Sequence, residues 1–237
     1  MNKMSYSFIH SFITINRLSA IGSRARGLIH DDILPNYKRN AVPCTARGCK
    51  WPKDGRYVKI PITISSRYTG AERNFIIRSL VTFYRSTCIR FYWRQSWQSS
   101  YIHFFSGKGC YSSLGRQGGQ QMISLKSNGC LFTGTVQHEV LHALGFHHEQ
   151  VRSDRDKYIQ ILTKNIRQGK EHNFVKVATN NLDTPYDFQS VMHYSKFAFS
   201  RNGSPTIVSK TGGDFGRATE MSANDIARIN RLYQCRR

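Results

Sequence analysis

Apolar and polar residues alternate from Tyr57 to Ser65, which puts Val58, Ile60, Ile62 and Ile64 on one face. A period of two is that of a half-buried strand. The pattern changes at Thr69. Thr69-Gly70-Ala71-Glu72 has the form of a capping box, in which a hydroxyl and a carboxylate satisfy backbone N–H groups that a helix start leaves free. It predicts a helix with Ile76, Leu80, Phe83 and Tyr84 along its apolar face. Ile89 to Trp93, Tyr101 to Phe105 and Gly119 to Leu125 read as further strands, with Gly119 to Leu125 as the expected edge. A helix from about Thr135 to Leu144 stops at Gly145. Ser222 to Asp225 is a second capping box, opening a last helix with Ile226, Ile229 and Tyr233 on one face. Turns dominate between roughly 175 and 220. Sheet and helices first, then an irregular half closed by one helix, make this an α+β chain.

Residues 1–39 stand apart, with no cysteine and little periodicity, and they end on the dibasic step Lys38-Arg39. Such a step in an exposed linker is a processing site or an ordinary charged loop. Tyr6 to Ile15 is broken by Ser7, His10, Ser11 and Thr14, which makes a weak signal segment. The expected organisation is therefore a signal segment plus propeptide over 1–39 and one domain over 40–237. No apolar run approaches the roughly 18 residues that span a bilayer, so no membrane partner is expected. Charge changes the picture more: 35 Lys+Arg face 14 Asp+Glu. The basic residues are spread along the chain, and no RNP, zinc-finger or basic-zipper pattern accompanies them, which argues against nucleic acid as a partner. A solvated basic face and a field for an acidic partner both fit. Six cysteines without a CxxC pair suggest three disulfides and an oxidising compartment, though spacing alone leaves 15 pairings open.

The candidate chemistry is concentrated in one stretch. His138-Glu139-Val140-Leu141-His142 is HExxH. On a helix, residues four apart sit about 40° apart in azimuth and roughly 6 Å along the axis, so both imidazoles reach one ion. Glu139 then lies beside the metal without ligating it, where a general base for a water molecule belongs. A surface helix with two histidines would look the same, and the residues after His142 decide between the readings. Gly145 comes next, then His148. A continued helix would carry His148 about 15 Å from His138, too far to share a zinc. A left-handed Gly145 ends the helix and turns the chain back. HExxHxxGxxH thus gathers His138, His142 and His148 round one zinc ion with a position left for water, the layout of a catalytic site. His147 adjoins His148, but the spacing selects His148.

The run His138 to Asp156, HEVLHALGFHHEQVRSDRD, resembles the signature of the astacin family of metzincin metalloproteases. Glu149 and the segment Arg152 to Asp156 match the residues after the third histidine there, and Ser190-Val191-Met192-His193-Tyr194 matches the family's Met-turn. The resemblance covers about Asn40 to Arg237. It implies a two-lobed zincin fold: a twisted, mostly antiparallel-edged sheet and an active-site helix, facing an irregular C-terminal lobe across a cleft. It implies a zinc endopeptidase with one Zn2+ per chain, in which Glu139 takes a proton from the attacking water and returns it to the leaving amine. Met192 is expected as an apolar floor under the metal. Tyr194 is expected as a further ligand that swings to stabilise the tetrahedral intermediate. Without the resemblance both would be ordinary packing residues. Gly119 to Leu125 would pair with the substrate backbone.

The same resemblance carries over the pairings Cys88–Cys235 and Cys110–Cys130. An extra pair Cys44–Cys49, near a mature start at Asn40, resembles the fish hatching-enzyme branch, as do Cys110-Tyr111-Ser112, Gly115 to Gly119 and Asn181 to Asp187. In that branch the substrate is egg-envelope protein. Asp32-Ile33-Leu34-Pro35 resembles the prosegment stretch whose Asp caps the zinc in the latent form, with Asp31 standing where Gly is usual. The implied protein is a monomeric secreted zymogen, stored in granules before release, that acts on protein substrate in an acidic extracellular coat. Two alternatives stay open here: a catalytically inactive homologue, disfavoured by the presence of Glu139, and a basic polyanion-binding module, which leaves the histidine spacing unexplained.

Overall fold

The computed structural model describes residues 28–34 and 49–236. Lys38-Arg39, Asn40, Cys44 and the Tyr6 to Ile15 stretch lie outside them. In chain order the elements are β1 (Ile33–Leu34), β2 (Lys53–Asp54), β3 (Tyr57–Ile64), α1 (Gly70–Ser86), β4 (Ile89–Trp93), β5 (Tyr101–Phe105), β6 (Cys110–Ser113), β7 (Gln120–Leu125), α2 (Ser127–Cys130), α3 (Thr133–Leu144), β8 (Ile159–Ile161), β9 (Ile207–Ser209) and α4 (Ala223–Leu232).

The first seven strands form one sheet in the order β1-β6-β7-β5-β3, with β2 and β4 both paired to β3. Its interior pairings, β3 with β4 and β5 and β5 with β7, are parallel, whereas β2 and β6 join antiparallel. The alternation read in β3 is realised: Val58, Ile60, Ile62 and Ile64 are buried. They share one core with Ile76, Leu80 and Phe83 of α1, Val140 and Leu144 of α3, and Ile229 of α4. Both capping boxes form. Glu72 accepts from the Thr69 N–H at 2.7 Å while the Thr69 hydroxyl accepts from the Glu72 N–H, which satisfies two N–H groups at the helix start.

One expectation is corrected. Gly119 to Leu125 does form a strand, but β7 lies inside the sheet between β5 and β6. On this side the edge of the main domain is β6, a short polar stretch whose alternation is too weak to read. Against it lies β1, in parallel, with Ile33 opposite Ser112 and Leu34 opposite Ser113.

A second core of Ile159, Ile166, Phe174, Tyr186, Phe199, Ile207 and Phe215 organises the turn-rich half around the antiparallel pair β8–β9. Two cores and the histidine helix between them give the two-lobed plan. Cys88–Cys235 closes the chain over 147 residues and fastens the end of α4 to the start of β4, and Cys110–Cys130 ties β6 to α2. Cys49 is also disulfide-bonded.

Candidate active site and metal centre

The helix α3 runs through the middle of the molecule, and all of its residues after Thr133 are buried. Two glycines make that possible. At Gly134 a Cβ would stand 2.6 Å from the Thr219 carbonyl oxygen, so only glycine lets α3 pass this loop. At Gly145 the backbone turns left-handed (φ 106°) and caps the helix by donating to the His142 carbonyl. The reversal brings His148 back over the helix, fully buried.

His142 Nε2 and His148 Nε2 lie 3.1 and 3.2 Å from His138 Nε2. Nitrogens about 2.0–2.1 Å from a tetrahedral zinc stand roughly 3.3 Å apart, so this spacing suits one ion. The other ring nitrogens of His138 and His142 fix the tautomers of those two rings. His138 Nδ1 donates to the Val191 carbonyl at 2.9 Å and His142 Nδ1 to the Phe146 carbonyl at 2.7 Å. With those protons committed, the neutral rings aim Nε2 lone pairs at one another, and a cation between them is what relieves that. Burial holds His142 below the ordinary imidazole range and His148 well below it, so both stay neutral, as metal ligands must be.

The fourth group comes from the far end of the chain. Asp32 Oδ2 lies 2.9 Å from His148 Nε2 and 3.2 Å from His138 Nε2, and Oδ1 lies 3.7 Å from His142 Nε2. The four side chains together form a buried group able to hold a metal ion. Burial alone would raise the Asp32 carboxyl, but His148 and bonding to the three imidazoles hold it well below the usual range. Zinc fits this donor set: three neutral imidazoles and one carboxylate, nitrogen and oxygen ligands without sulfur.

Glu139 is fully buried beside the cluster, and neither carboxylate oxygen has a partner within the protein. Burial, with Asp32 adding its charge, pushes its carboxyl well above the usual range. Met192 is buried in the same core as α3. The Tyr194 ring packs 4.6 Å from the His148 ring, and its hydroxyl donates to the His30 carbonyl at 2.6 Å. Tyr194 therefore faces the segment carrying Asp32. His147 stands outside the cluster, its ring 6.2 Å from that of His30, and burial pushes it down to about 3.

Residues the sequence pattern did not single out for this role position the ligands. Asp225, the second member of the α4 capping box, accepts from Ser190 Oγ at 2.7 Å and from the Val191 N–H at 2.9 Å. The Val191 carbonyl in turn receives His138. Helix cap, Met-turn and candidate ligand thus form one chain of bonds. Glu149 is clamped by Arg228 at 2.6 and 2.8 Å and by Arg152 at 3.2 Å, and this pairing joins the turn after His148 to α4. Asp31, in the position where Gly is usual, sits at φ 63° and pairs with Lys170 at 2.6 Å.

Comparison with known proteins agrees with this geometry. The family model described as Astacin, a peptidase family, matches residues 46–234. High choriolytic enzyme 1 of Oryzias latipes is 43% identical over 228 residues, 94% of this chain and 84% of that protein. Zinc metalloproteinase nas-4 of Caenorhabditis elegans is 39% identical over 203 residues, 83% of this chain and 62% of that protein. The solved structure of high choriolytic enzyme 1, described as a hatching enzyme zinc-protease from Oryzias latipes, superposes with a TM-score of 0.79 at 46% identity, covering 83% of this chain and all of that one. With the match spanning both cores and the helix between them, the chain belongs to the astacin family of peptidases and is a zinc metalloendopeptidase.

Proposed function

We propose that the chain is the latent precursor of a secreted endopeptidase that cleaves egg-envelope protein, with residues 1–39 as signal and prosegment and 40–237 as a monomeric catalytic domain. His138, His142 and His148 hold the zinc in this reading, over Met192 as an apolar floor. Zinc, when bound, polarises the scissile carbonyl as a Lewis acid and makes a water molecule more acidic. Glu139 takes the proton of the attacking water and delivers it to the leaving nitrogen. Burial is the larger cause of its raised pKa and the docked Asp32 adds to it; loss of that charge and the presence of a cation both act to lower it and ready it as a base. Tyr194, freed from the His30 carbonyl, is placed to donate to the oxygen that develops charge. The β6 edge, vacated by Ile33–Leu34, takes the substrate backbone as an added strand.

The observation that carries the reading is Asp32 Oδ2, 2.9 Å from His148 Nε2. A carboxylate there excludes water from the position a nucleophile needs, and β1 covers the substrate edge at the same time. Secretion is supported by the disulfides of Cys88, Cys235, Cys110, Cys130 and Cys49. Storage in granules before release is compatible with a latent form that needs a trigger. The envelope substrate is supported by likeness to the choriolytic enzymes, of which three are 38–44% identical to this chain. The test is to incubate isolated egg-envelope protein with the precursor and with the chain cut between Arg39 and Asn40. Cleavage by the cut form alone is expected. A precursor as active as the cut form would refute latency, and a cut form that hydrolyses peptides but leaves the envelope intact would refute the substrate.

A further inference from the structure

The positive charge of this chain is unevenly placed. Residues 55–138, which build β3 through β7, α1 and the start of α3, contain eleven Lys and Arg and a single acid, Glu72. Residues 139–237 contain fifteen against ten. The Glu72 carboxylate is bound to the Thr69 N–H of the α1 cap. Asp54 of β2, just before this stretch, pairs with Lys59 at 2.7 Å, and the remaining cations of the sheet lobe leave it strongly positive.

Inside that field the end of β4 and the loop after it hold out two indoles. Trp97 is 78% exposed and Trp93 49%. The loop is braced from within. Gln98 donates its backbone N–H to the Gln95 carbonyl at 3.0 Å, and Gln95 donates its own to the Gln98 side chain at 2.8 Å. Arg94 donates to the Gln98 carbonyl at 2.8 Å while its guanidinium lies 4.3 Å over the Tyr101 ring, and the Gln98 amide donates to the Tyr92 hydroxyl. Exposed indoles on a braced loop offer flat apolar faces with a polar N–H at one edge to a partner.

The neighbouring strand edge restricts what binds there. The Phe91 N–H donates to the Tyr84 hydroxyl at 2.9 Å, and that hydroxyl donates back to the Phe91 carbonyl. With these ladder groups occupied, a peptide strand has no backbone partners at the middle of β4. Recognition falls to the indole faces and to guanidinium groups such as Arg90, which donates through Nη1 to the Thr87 and Ile89 carbonyls at 2.7 and 2.8 Å and lies between the Tyr57 and Tyr84 rings, turning its other N–H groups to a ligand. Flat apolar faces beside cations suit a sugar ring bearing sulfate, since guanidinium groups match the oxygens of such oxyanions.

We propose that the Trp93–Trp97 loop and the cationic face around it form a second binding surface, separate from the catalytic cleft, for a sulfated polysaccharide. The proposal deepens the peptidase reading, because it would give the enzyme a hold on a coat that carries such a polysaccharide, but its readout needs no catalysis. The experiment measures binding of the full chain, and of Trp97→Ala and Trp93→Ala, to heparin, to desulfated heparin and to polyglutamate of matched charge, across a salt series. Hydrolysis of a small neutral peptide by the cut forms is followed in parallel. Heparin is expected to bind tightest and to weaken with salt as screening shortens. Trp97→Ala should weaken it about tenfold, equivalent to about 1.4 kcal/mol, with peptide hydrolysis unchanged. Unaltered heparin binding in both variants, or no heparin binding by the parent chain, would overturn the proposal. Polyglutamate binding as tightly as heparin would assign the surface to acidic polypeptide instead. Loss of peptide hydrolysis in Trp97→Ala would place the loop in the cleft. An intact heparin response in a parent chain that hydrolyses nothing would count against the peptidase reading alone.

Discussion

At the scale of single residues, the groups that hold the metal are distinct from the group that moves protons. Glu139 has two buried oxygens without a protein partner, one helical position from His138. Replacing it by Gln keeps the shape and removes the base. Hydrolysis of a peptide by Glu139→Gln should fall by at least about 10² to 10⁴, while zinc content measured on the purified protein stays near one per chain. Hydrolysis at the parent rate would contradict its assignment as base. Asp225 acts at one remove, through Ser190 and Val191 on His138. Asp225→Asn should lower zinc affinity about 10–100-fold in competition with a chelator, the usual effect of loosening the bonds that orient a ligand. An unchanged affinity would show that the Met-turn holds His138 without help from α4. The histidines and Glu139 were legible in the sequence because helical geometry converts spacing into proximity. Asp225 was not: 87 positions from His138, it reads only as half of a helix cap, and its second bond exists only once the lobes have packed.

At the scale of elements, local chemistry was the reliable guide. Both capping boxes open helices where they were expected, β4 and β5 have the predicted bounds, and Gly145 ends α3 as a left-handed cap. What failed was the order of strands. Gly119 to Leu125 alternates and precedes the active-site helix, as an edge strand would, whereas the true edge, β6, is the four-residue run CYSS. Its place is set by the antiparallel pairing with β7 and by the disulfide to Cys130, neither of which leaves a periodic trace. The long disulfide carries the clearest energetic expectation. Closing a loop of 147 residues, Cys88–Cys235 should contribute about 5 kcal/mol in the chain-entropy treatment, against about 3 kcal/mol for the 20-residue loop of Cys110–Cys130. Denaturant unfolding of the two Ser-for-Cys double variants should rank them in that order. The reverse ranking would mean that native contacts rather than loop length dominate.

At the scale of the whole molecule, two cores meet along α3, and the site lies where both contribute. The first lobe supplies His138, Glu139, His142 and the β6 edge; the second supplies Tyr194, which belongs to its core. Asp32 reaches this junction from a segment far away in sequence, and Tyr194 and Lys170 hold that segment by the His30 carbonyl and by Asp31. Family likeness in the motif made the latent arrangement legible in outline, but the bonds to Lys170 and the His30 carbonyl appear only in three dimensions. The central claim is that the three Nε2 atoms hold a zinc on which hydrolysis depends. It is tested most directly by stripping metal from the chain cut after Arg39 with a chelator, then titrating zinc back while following hydrolysis of a neutral peptide. Hydrolysis is predicted to disappear on chelation and to return in proportion to added zinc, reaching its plateau near one ion per chain. Hydrolysis that persists in the chelator, or that fails to return with zinc while the fold stays intact, would contradict the claim.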